Sequence, residues 1–586
     1  MPGGLLALVC YGNENVIING NPQVTWFYKS FQQYTHFSQE PIQIPLEGPN
    51  QLQMDAPIQI KAKIPRQGDL LSDLTLRVTL PDIFSKLYVT RLNRTTDTFT
   101  TDRRYPYEFA WVRQVGVRMI QSITFTIGGQ IIQQFSADWI SARAALDYDN
   151  GQYQKWRTMV GDVTDLFDPA QGIYADYSTS PAGYPNVVSW VTKSVQNNAA
   201  SIPGRVLRIP LGLWFSDSIA NSLPLVALQY HDCEVTIQMA PIRDLYTILD
   251  PNGNRVRPGV RVGDYLQTDQ YVSVWNPTEL GPLPATLNNN YVADPDIRET
   301  MRHFLTDIPP CTVNPDNSIT YSTSTIPNSD GWPLNATLEG IYTFVQDKER
   351  LVFTQKTIRY NVRQVQPFYF TGINTRNTYR LDVHNIATRL VYFARRTDSI
   401  PGRNQPINLT NWMYTTGSER PYGVPTSAEN YVMNIVYTSS TLPPTSVTSI
   451  ASRSGLNIQG TQRNILRNVF LTANGNTLFD SEDTDFFSQY VPFRYLKGYG
   501  MPYRDYGLAT QGEMWPIHTY SFALNGSEIE QPTGTLNTSR IDRLEMDVDV
   551  ESIPIGARYT YELDVFVETL NFLEISSGLG GLKFAK

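Results

Sequence analysis

The residues best able to do chemistry in this sequence are few and far apart. The five histidines are His36, His231, His303, His384 and His518. No two of them have the spacing of metal ligands, and no nucleophile, base and acid occur together as an enzyme needs. Each histidine is therefore predicted to be structural, and the chain is predicted to be no enzyme and to use no cofactor. A cupin-like metal enzyme, which needs two histidines and a carboxylate close together, stays a hypothesis that metal analysis tests.

Two short segments resemble ligand-binding loops only superficially. "DYDNG" (147–151) begins like a calcium loop, but its third ligand is out of phase and Thr158 replaces the closing glutamate. "SGLGGLKF" (577–584) resembles a phosphate loop, but it lacks the full glycine spacing and no Ser or Thr follows Lys583. The sequence therefore predicts no metal site, and the second segment is predicted to be a flexible tail.

The composition favours strands joined by turns and argues against binding to nucleic acid. The chain has 586 residues, which is too long for one hydrophobic core. It is 12% aromatic and only 17% charged, with 34 Tyr and 39 Pro, a balance that favours an all-β fold. The net charge of −8 is the wrong sign for neutralising phosphates, so no direct contact with nucleic acid is predicted.

Cysteine usage and the amino terminus both indicate a cytosol-like compartment. Cys10, Cys233 and Cys311 are odd in number and far apart, which predicts free thiols in a reducing environment. The apolar run at 5–10 is too short for a signal peptide core or a bilayer span.

Alternating apolar and polar residues predict half-buried strands in several places. "TLRVTL" (75–80), "LEMDVDVE" (544–551) and "YTYELDVFV" (559–567) all follow the two-residue period of a strand. The polar face of the second segment is acidic and is predicted to be solvated; it carries Glu545, Asp547, Asp549 and Glu551. The strongest helical pattern lies at 347–355.

Two segments share a hairpin pattern and indicate a duplicated domain. "ITFTIGGQII" (123–132) and "VFLTANGNTL" (469–478) lie 346 residues apart. Each places a turn pair, Gly-Gly or Asn-Gly, between apolar runs, as a tight hairpin requires. A weaker correspondence joins residues 228–239 to residues 539–550. Each half is therefore predicted to be an antiparallel double sheet.

This duplication divides the chain into predicted regions. They are an N-terminal arm (1–25), a first domain (26–346), a linker (347–356), a second domain (357–576) and a C-terminal tail (577–586). Asn, Pro, Asp and Thr are frequent between the strand patterns, and these stretches are predicted to be long surface loops: 147–198, 241–338 and 398–454.

Six ordered segments resemble those of the major capsid proteins of nucleocytoplasmic large DNA viruses. The most specific is "YSFALNGSEIEQPTGTLNTSRID" (520–542), in which Thr533 stands where that family usually has serine. The other five are "NPQVTWFYKSFQQYTHFSQEPI" (21–42), "IPRQGDLLSDLTLRVTLP" (64–81), "ITFTIGGQIIQQFSADWI" (123–140), "LPLVALQYHDCEVTI" (223–237) and "YTFVQDKERLVFTQ" (342–355).

The resemblance implies a fold and a role. The expected fold is two consecutive eight-stranded jelly rolls with long surface loops and few short helices. The expected role is structural: a homotrimer forms a pseudo-hexameric capsomer that tiles the icosahedral shell. Expected partners are neighbouring capsomers, penton and minor capsid proteins, with the arm near an inner viral membrane. The expected location is the virion capsid, assembled in the host cytoplasm.

The segment "EQPTGTLNTSRID" (530–542), here called the signature loop, is predicted to be a structural corner. Its proline fixes φ and its glycine permits a reversal, while Asn537, Thr538 and Ser539 bond the turn backbone. Arg540 and Asp542 are predicted to pair or to reach the other jelly roll. Together with the hairpin turns, the structural signature comprises Gly128, Gly129, Asn474, Gly475, Gln531, Pro532, Gly534, Asn537, Ser539, Arg540 and Asp542.

An alternative function is a double jelly-roll spike or a carbohydrate-binding surface protein. It requires an exposed aromatic platform flanked by polar groups. The candidate is Trp332 in "NSDGWPLN" (328–335). Loss of glycan binding on Trp332→Ala would favour this alternative.

Overall fold

The structure of the chain is a computed structural model. It describes residues 3–84, 109–167, 200–249, 332–397, 464–498, 516–528, 530–553 and 560–584, together with residues 169, 409 and 500 and the short pieces 87–89, 104–106, 255–256, 304–305, 311–313, 319–321, 435–436 and 449–450. Most of the predicted loops at 241–338 and 398–454 lie outside the described residues.

The first half of the chain forms a double sheet of eight strands among its described residues. In chain order they are β1 (Phe37–Ile44), β2 (Ile58–Lys63), β3 (Leu70–Thr79), β4 (Ile120–Ile127), β5 (Gln130–Ser136), β6 (Val206–Pro210), β7 (Cys233–Met239) and β8 (Ala336–Val345). One sheet has the order β1-β8-β3-β6 and the other β2-β7-β4-β5, with antiparallel pairing throughout. We call this unit the first roll.

The second half repeats this arrangement. Its strands are β9 (Ile358–Ile373), β10 (Asn377–Leu381), β11 (Ile386–Arg396), β12 (Leu466–Ala473), β13 (Asn476–Asp483), β14 (His518–Ser521), β15 (Leu544–Val550) and β16 (Tyr561–Ser576). The sheet orders are β9-β16-β11-β14 and β10-β15-β12-β13. Each strand of this second roll therefore occupies the place of the strand eight numbers earlier, which confirms the predicted double jelly roll.

Even an irregularity in strand pairing is repeated. The β8–β3 register shifts next to Ser72, whose hydroxyl donates to the carbonyl of Ile341 at 3.1 Å. The β16–β11 register shifts next to Thr388, whose hydroxyl donates to the carbonyl of Glu568 at 3.2 Å. A bulge with the same side-chain support in both rolls gives an exact reference for matching residues.

Both predicted hairpins are confirmed. Gly128 and Gly129 join β4 to β5 with φ of 57° and 82°. Asn474 and Gly475 join β12 to β13 with φ of 51° and 79°. Two consecutive left-handed residues are what a tight hairpin turn requires, and glycine and asparagine adopt them most readily.

The strands β3 and β15 bury alternate residues, as their sequences predict. The acidic face of β15 is not simply solvated, however. Asp547 pairs with Arg376 at 2.6 Å, and Glu545 pairs with Arg543 at 2.6 Å. Arginines directly before β15 and β10 therefore neutralise part of this face.

The predicted one-sided burial of β16 is wrong. Leu563 and Val565 lie in the core of the second roll, but Asp564, Phe566 and Glu568 on the opposite face are buried too. Phe566 belongs to the larger core that begins in the first roll. The polar face is buried because the first roll packs against it.

Helices are short and lie mostly outside the sheets. They are α1 (Gly3–Val9), α2 (Asn13–Asn19), α3 (Val115–Arg118), α4 (Ala137–Asp147), α5 (Asn150–Met159), α6 (Thr164–Phe167), α7 (Asp347–Gln355) and α8 (Val491–Tyr495), with a π-helical turn at Phe486–Tyr490. The helix predicted at 347–355 is confirmed. The loop predicted at 147–198 is wrong where α5 and α6 occur, and Asp149 caps α5 by accepting from the Gln152 N–H at 2.7 Å.

The remaining secondary structure among the described residues consists of short strands and 3₁₀ turns. The short strands are Gln51–Leu52, Leu87–Val89, Arg104–Pro106, Ala110–Trp111, Leu223–Pro224, Tyr246–Leu249, Arg255–Val256, Cys311–Val313, Ile319–Tyr321, Trp332–Pro333, Ile435–Val436, Ser449–Ile450, Leu536–Asn537 and Leu579–Leu582. The 3₁₀ turns are Trp214–Ser216, Ile219–Asn221, Leu225–Ala227, Ile242–Asp244 and Thr538–Arg540.

The two chain ends behave differently. In the N-terminal arm, α1 and α2 bury no residue against the rest of the chain. Among the described residues, no helix is both long and apolar enough to cross a membrane. At the other end, Leu579–Leu582 pairs with β16, so the prediction of a flexible tail is wrong for this segment.

Candidate functional site: the contact between the two rolls

The helix α4 lies at the centre of the contact between the rolls. Its residues are buried on almost every side, including small residues such as Ala142 and Ala145 and the large ring of Trp139. The Trp139 ring lies 5.7 Å from the ring of Phe566 in the second roll. A helix buried all round lacks the one-sided apolar pattern by which helices are recognised in a sequence.

The start of α4 is held by an ion cluster that spans both rolls. Asp138 pairs with Arg118 of the first roll at 2.5 Å and with Arg395 of the second roll at 3.2 Å. Arg395 also pairs with Asp564. Burial raises the pKa of Asp138, but Arg395 and Arg118 together lower it below its ordinary value. Burial raises the pKa of Asp564 to about 7, which Arg395 only partly offsets.

The end of α4 is held by a second cluster. Asp147 accepts two hydrogen bonds from the Arg389 guanidinium, at 2.6 and 2.8 Å, and pairs with Arg363 at 3.3 Å. Glu568 pairs with the same two arginines at 3.0 Å each. The Ser527 hydroxyl also donates to Asp147 at 2.9 Å. Residues from β9, β11 and the chain after β14 therefore converge on one carboxylate of the first roll, and Glu568 of β16 holds the same two arginines.

This second cluster continues into the first roll. Arg143 of α4 pairs with Asp217 and lies 3.5 Å from Asp147. Burial raises the pKa of Asp217, whereas Arg389 and Arg363 outweigh burial and lower the pKa of Asp147. Buried ion pairs add little net stability, but they strongly penalise any arrangement that separates the partners. The clusters therefore fix how one roll sits on the other.

The edge strands of the two rolls are also joined by amide side chains. The Gln133 side chain of β5 donates to the carbonyl of Arg363 at 2.6 Å. In return, the Gln364 side chain of β9 donates to the carbonyl of Ile132 at 2.9 Å. Both glutamines are buried. Edge strands expose unpaired backbone groups, and here each roll satisfies those of the other.

The second roll also caps the C-terminal end of α4. The N–H groups of Gly498 and Gly500 donate to the carbonyls of Leu146 and Ala145, each at 2.8 Å. A Cβ atom on Gly498 would lie 2.4 Å from the carbonyl oxygen of Ala145, so only glycine approaches closely enough. These bonds satisfy carbonyls that a helix end leaves without an internal partner.

The C-terminal strand docks on the first hairpin. Gly580 donates its N–H to Nδ1 of His231 at 3.2 Å, and the Tyr230 N–H donates to the carbonyl of Gly578 at 3.1 Å. A Cβ atom on Gly128 would lie 2.7 Å from the His231 ring. Gly128 therefore serves the turn and also leaves space for this docking, while His231 has a structural place rather than a metal-binding one.

In the signature loop, Gly534 makes a close approach to the backbone. Its φ is +154°, and a Cβ atom there would lie 2.7 Å from the carbonyl oxygen of Phe522. The neighbouring Thr533 hydroxyl accepts from the Asn525 N–H at 2.9 Å. The loop is thereby fastened to the segment that supplies Ser527 to the ion cluster.

The end of the signature loop supports the start of β11. Asn537 pairs with Ile386 in the sheet. The Thr538 hydroxyl donates to the carbonyl of Asn385 at 2.6 Å, and the Ser539 hydroxyl accepts from the Asn385 N–H at 3.1 Å. Asn385 has a φ of +72°, so these bonds hold a left-handed residue in place.

The remaining signature residues contact no described residue of the other roll. Gln531, Pro532, Arg540 and Asp542 are exposed. Among the described residues, Arg540 and Asp542 form no ion pair with each other, and the Asp542 carbonyl accepts from Arg380 at 3.2 Å within the second roll. The expected pairing or reach between rolls is therefore wrong for these two residues.

Sequence reasoning missed the charged residues that do join the rolls. Asp564 and Glu568 lie on the polar face of an alternating strand, which normally indicates solvent. One signal was present: Leu390, Val391 and Tyr392 are consecutive apolar residues in β11, a pattern typical of a strand buried on both faces. When a sheet is covered on both faces, its polar side chains are buried too and need ion-pair or hydrogen-bond partners.

The aromatic platform of the alternative function is not on the surface. The Trp332 side chain is 2% exposed and lies 5.7 Å from the Trp111 ring. Nor do the described residues contain a group of three or more histidine, cysteine or acidic side chains placed to hold a metal ion. In "DYDNG", Asp147 faces arginines, which occupy the place of a cation.

Comparison with known proteins identifies two consecutive family matches. Residues 25–276 match the major capsid protein N-terminus, and residues 349–581 match the large eukaryotic DNA virus major capsid protein. The major capsid proteins of Chrysochromulina ericina virus and Phaeocystis pouchetii virus are 25% and 24% identical, each over 100% of both chains.

Solved structures share the fold at lower identity. The PBCV-1 virus capsid chain is 17% identical with a TM-score of 0.55, covering 96% of this chain and 100% of that one. The Faustovirus major capsid protein is 12% identical with a TM-score of 0.55, covering 98% and 96%. The double jelly roll is therefore common to all three.

Proposed function

Because the chain belongs to the double jelly-roll major capsid proteins of large DNA viruses, we propose that it trimerises into a pseudo-hexameric capsomer that tiles an icosahedral shell. The observation that carries this proposal is the strand-by-strand equivalence of the two rolls. Three copies of a chain with two similar lobes make a ring of six, which fills a hexagonal lattice while needing only threefold symmetry.

The rigid contact between the rolls supports the same role. A lattice transmits stress through its blocks, and a block whose lobes rotated freely would not keep a hexagonal outline. The buried clusters around Asp138 and Asp147 oppose such rotation, because separating them leaves unpaired buried charges. The chain acts through shape and fixed geometry, with no catalytic step.

The wider assembly follows from this role. Neighbouring capsomers, penton proteins and minor capsid proteins are the proposed partners, in a virion capsid assembled in the host cytoplasm. The N-terminal arm, whose apolar side chains are exposed in the single chain, faces the inside of the shell near an inner membrane. The proposed units are the arm (1–25), the two rolls (26–346 and 357–576), the linker (347–356) and the C-terminal segment (577–586).

Negative-stain microscopy and native mass spectrometry of the purified chain test this function. The expected result is a trimer with a hexagonal outline about 75 to 100 Å across, from two lobes of roughly 200 residues per subunit. A stable monomer at micromolar concentration, or a trimer with three separated lobes, would overturn the proposal.

A further inference from the structure

The second roll has its own equivalent of α4, and one side of that helix is exposed. In the first roll, α4 follows β5 and is buried by the second roll. In the second roll, Phe486–Tyr490 and α8 follow β13 in the same way. We call this segment the exposed helix, because the side chains of Phe493 and Tyr490 are 85% and 53% exposed. Nothing in the described part of the chain covers them.

The sheet face that would match it is partly exposed as well. The repeated bulge aligns Ile341, which pairs with Asp73, with Glu568, which pairs with Arg389. Glu568 is buried against α4, whereas Ile341 is 37% exposed on the outer face of the sheet β1-β8-β3-β6. One sheet face is thus covered within the chain, whereas the described residues leave its equivalent partly exposed.

The edge strands differ in the same way: β5 and β9 contact each other inside the chain, while their equivalents β13 and β1 do not. In the internal contact, Gln133 of β5 and Gln364 of β9 are buried against each other's strand. Hairpin alignment places Phe479 of β13 at the position of Gln133, and sheet register places Glu40 of β1 at the position of Gln364. Phe479 is partly buried and Glu40 is exposed. Among the described residues, no further strand pairs with the outer edge of β1 or of β13.

We propose that each chain docks the exposed helix and β13 of its second roll on the outer face of the sheet β1-β8-β3-β6 of another copy. This interface rests on the proposed trimer and identifies the surfaces that form it. Its occupant is a second copy because the same two kinds of surface already contact each other inside every chain. Internal and external contacts then alternate around the ring, and the ring closes after three chains.

The chemistry of the two contacts differs in a way that suits their roles. Phe493 lies near the end of the exposed helix, as Asp147 lies at the end of α4. At this end of the helix, an apolar Phe493–Ile341 contact therefore replaces the ion cluster of Asp147 and Glu568. Burying charges gives little net affinity, while burying apolar groups is favourable. Glu339, next to Ile341 on that face, is already paired with Arg208 at 3.1 Å.

The first experiment measures trimer stability in a Phe493→Asp variant by native mass spectrometry over a dilution series. The concentration of half-dissociation is expected to rise about tenfold or more, as for a buried interface aromatic. Val352→Asp is the matched control, since Val352 is an exposed apolar residue on α7, and it should leave the trimer unchanged. Because Phe493 is exposed in the single chain, the melting temperature of the variant monomer should match that of the wild type.

The outcomes separate this inference from the proposed function. A monomeric wild type overturns both. A trimeric wild type whose Phe493→Asp variant dissociates no more readily than Val352→Asp overturns the interface and leaves the capsomer intact.

A second experiment does not depend on destabilisation. Ile341→Cys and Phe493→Cys are combined in a Cys10→Ser background and treated with a short bismaleimide. Covalent dimers and trimers are expected, and a control with Val352→Cys in place of Phe493→Cys should give none. Equal crosslinking in both proteins, or none in either, would overturn the interface.

Discussion

The sheet β9-β16-β11-β14 is buried on both faces, whereas the equivalent sheet β1-β8-β3-β6 keeps its outer face partly exposed. The strand orders and the bulge are the same in both. What differs is the partner: α4 of the same chain covers the second roll's sheet, whereas Ile341 in the first roll is 37% exposed. The two rolls therefore share a backbone pattern, while the residue types on their outer faces depend on what packs against each roll.

Chemistry on the two faces follows the same difference. At matched positions, the covered face carries Arg389 and Glu568, and the exposed face carries Asp73 and Ile341. Buried ion pairs between the two rolls of one chain set the orientation of the rolls. The uncovered face has an apolar residue at the position of a buried glutamate, which suits association between chains that have already folded.

Removing a cation from the covered face is expected to have the largest effect. Arg389→Met leaves both Asp147 and Glu568 short of a partner in a buried place. The free energy of unfolding should fall by about 3 to 5 kcal/mol, measured by urea denaturation at one fixed protein concentration.

The matched control for Arg389 is Arg376→Met, which breaks an exposed ion pair with Asp547 in the same roll. Solvent screens that pair, so its loss should change the urea midpoint little. Equal destabilisation by the two variants would mean that the buried cluster has no special role.

Filling the signature loop is expected to have the next largest effect. Gly534→Val brings a branched side chain to a position where even a Cβ atom would lie 2.7 Å from the Phe522 carbonyl oxygen. The loop should shift, with a loss of about 3 kcal/mol and a lower yield of soluble trimer. Thr535→Val, at a neighbouring exposed position, should keep the wild-type yield; normal assembly of the Gly534 variant would refute the structural corner.

The two hairpin glycines of the first roll offer a smaller, sharper test. Gly128→Ala should cost about 2 kcal/mol, because the new methyl group meets the His231 ring as well as an unfavourable φ. Gly129→Ala has the same kind of φ but open space, and should cost about 1 kcal/mol. In the second roll the position equivalent to Gly128 is Asn474, so that hairpin accommodates a side chain at its first turn position. If thermal unfolding shows the same loss for both variants, the docked C-terminal strand is not what makes Gly128 necessary.

The pH dependence of stability is expected to be the smallest effect. Burial raises the pKa of Asp564 in the folded chain to about 7, above its value of about 4 when unfolded. Between these values the folded chain holds a proton that the unfolded chain has lost, so stability should fall as the pH rises from about 4 to 7.

Asp564→Asn removes this proton and should flatten that slope in urea midpoints measured at several pH values. The equivalent position in the first roll is Thr337, which does not titrate, so Thr337→Asn serves as the control and should leave the slope intact. Asp138, whose pKa is lowered, acts only at more acidic pH and with the opposite sign. An unchanged slope in the Asp564 variant would contradict the assignment.

Local patterns in the sequence were enough to predict several of the strands and the repetition of the hairpin. Alternation in β3 and β15, and the turn residues at Gly128 and Asn474, depend only on neighbours along the chain. The family resemblance added the strand number and the capsid role. The helix α4 escaped prediction because its buried surface is not confined to one side, and α5 because its polar residues are typical of a loop.

What the sequence alone determined is several of the strands, the hairpins and the doubling, since a two-residue period and a left-handed turn depend on only a few neighbouring residues. Only the tertiary structure decided which polar faces are buried. Asp147 meets Arg389 across 242 residues of chain, and the alternation of β16 is the same whether its charged face meets water or α4. Burial of a face depends on the partner packed against it, and that partner is far away in sequence.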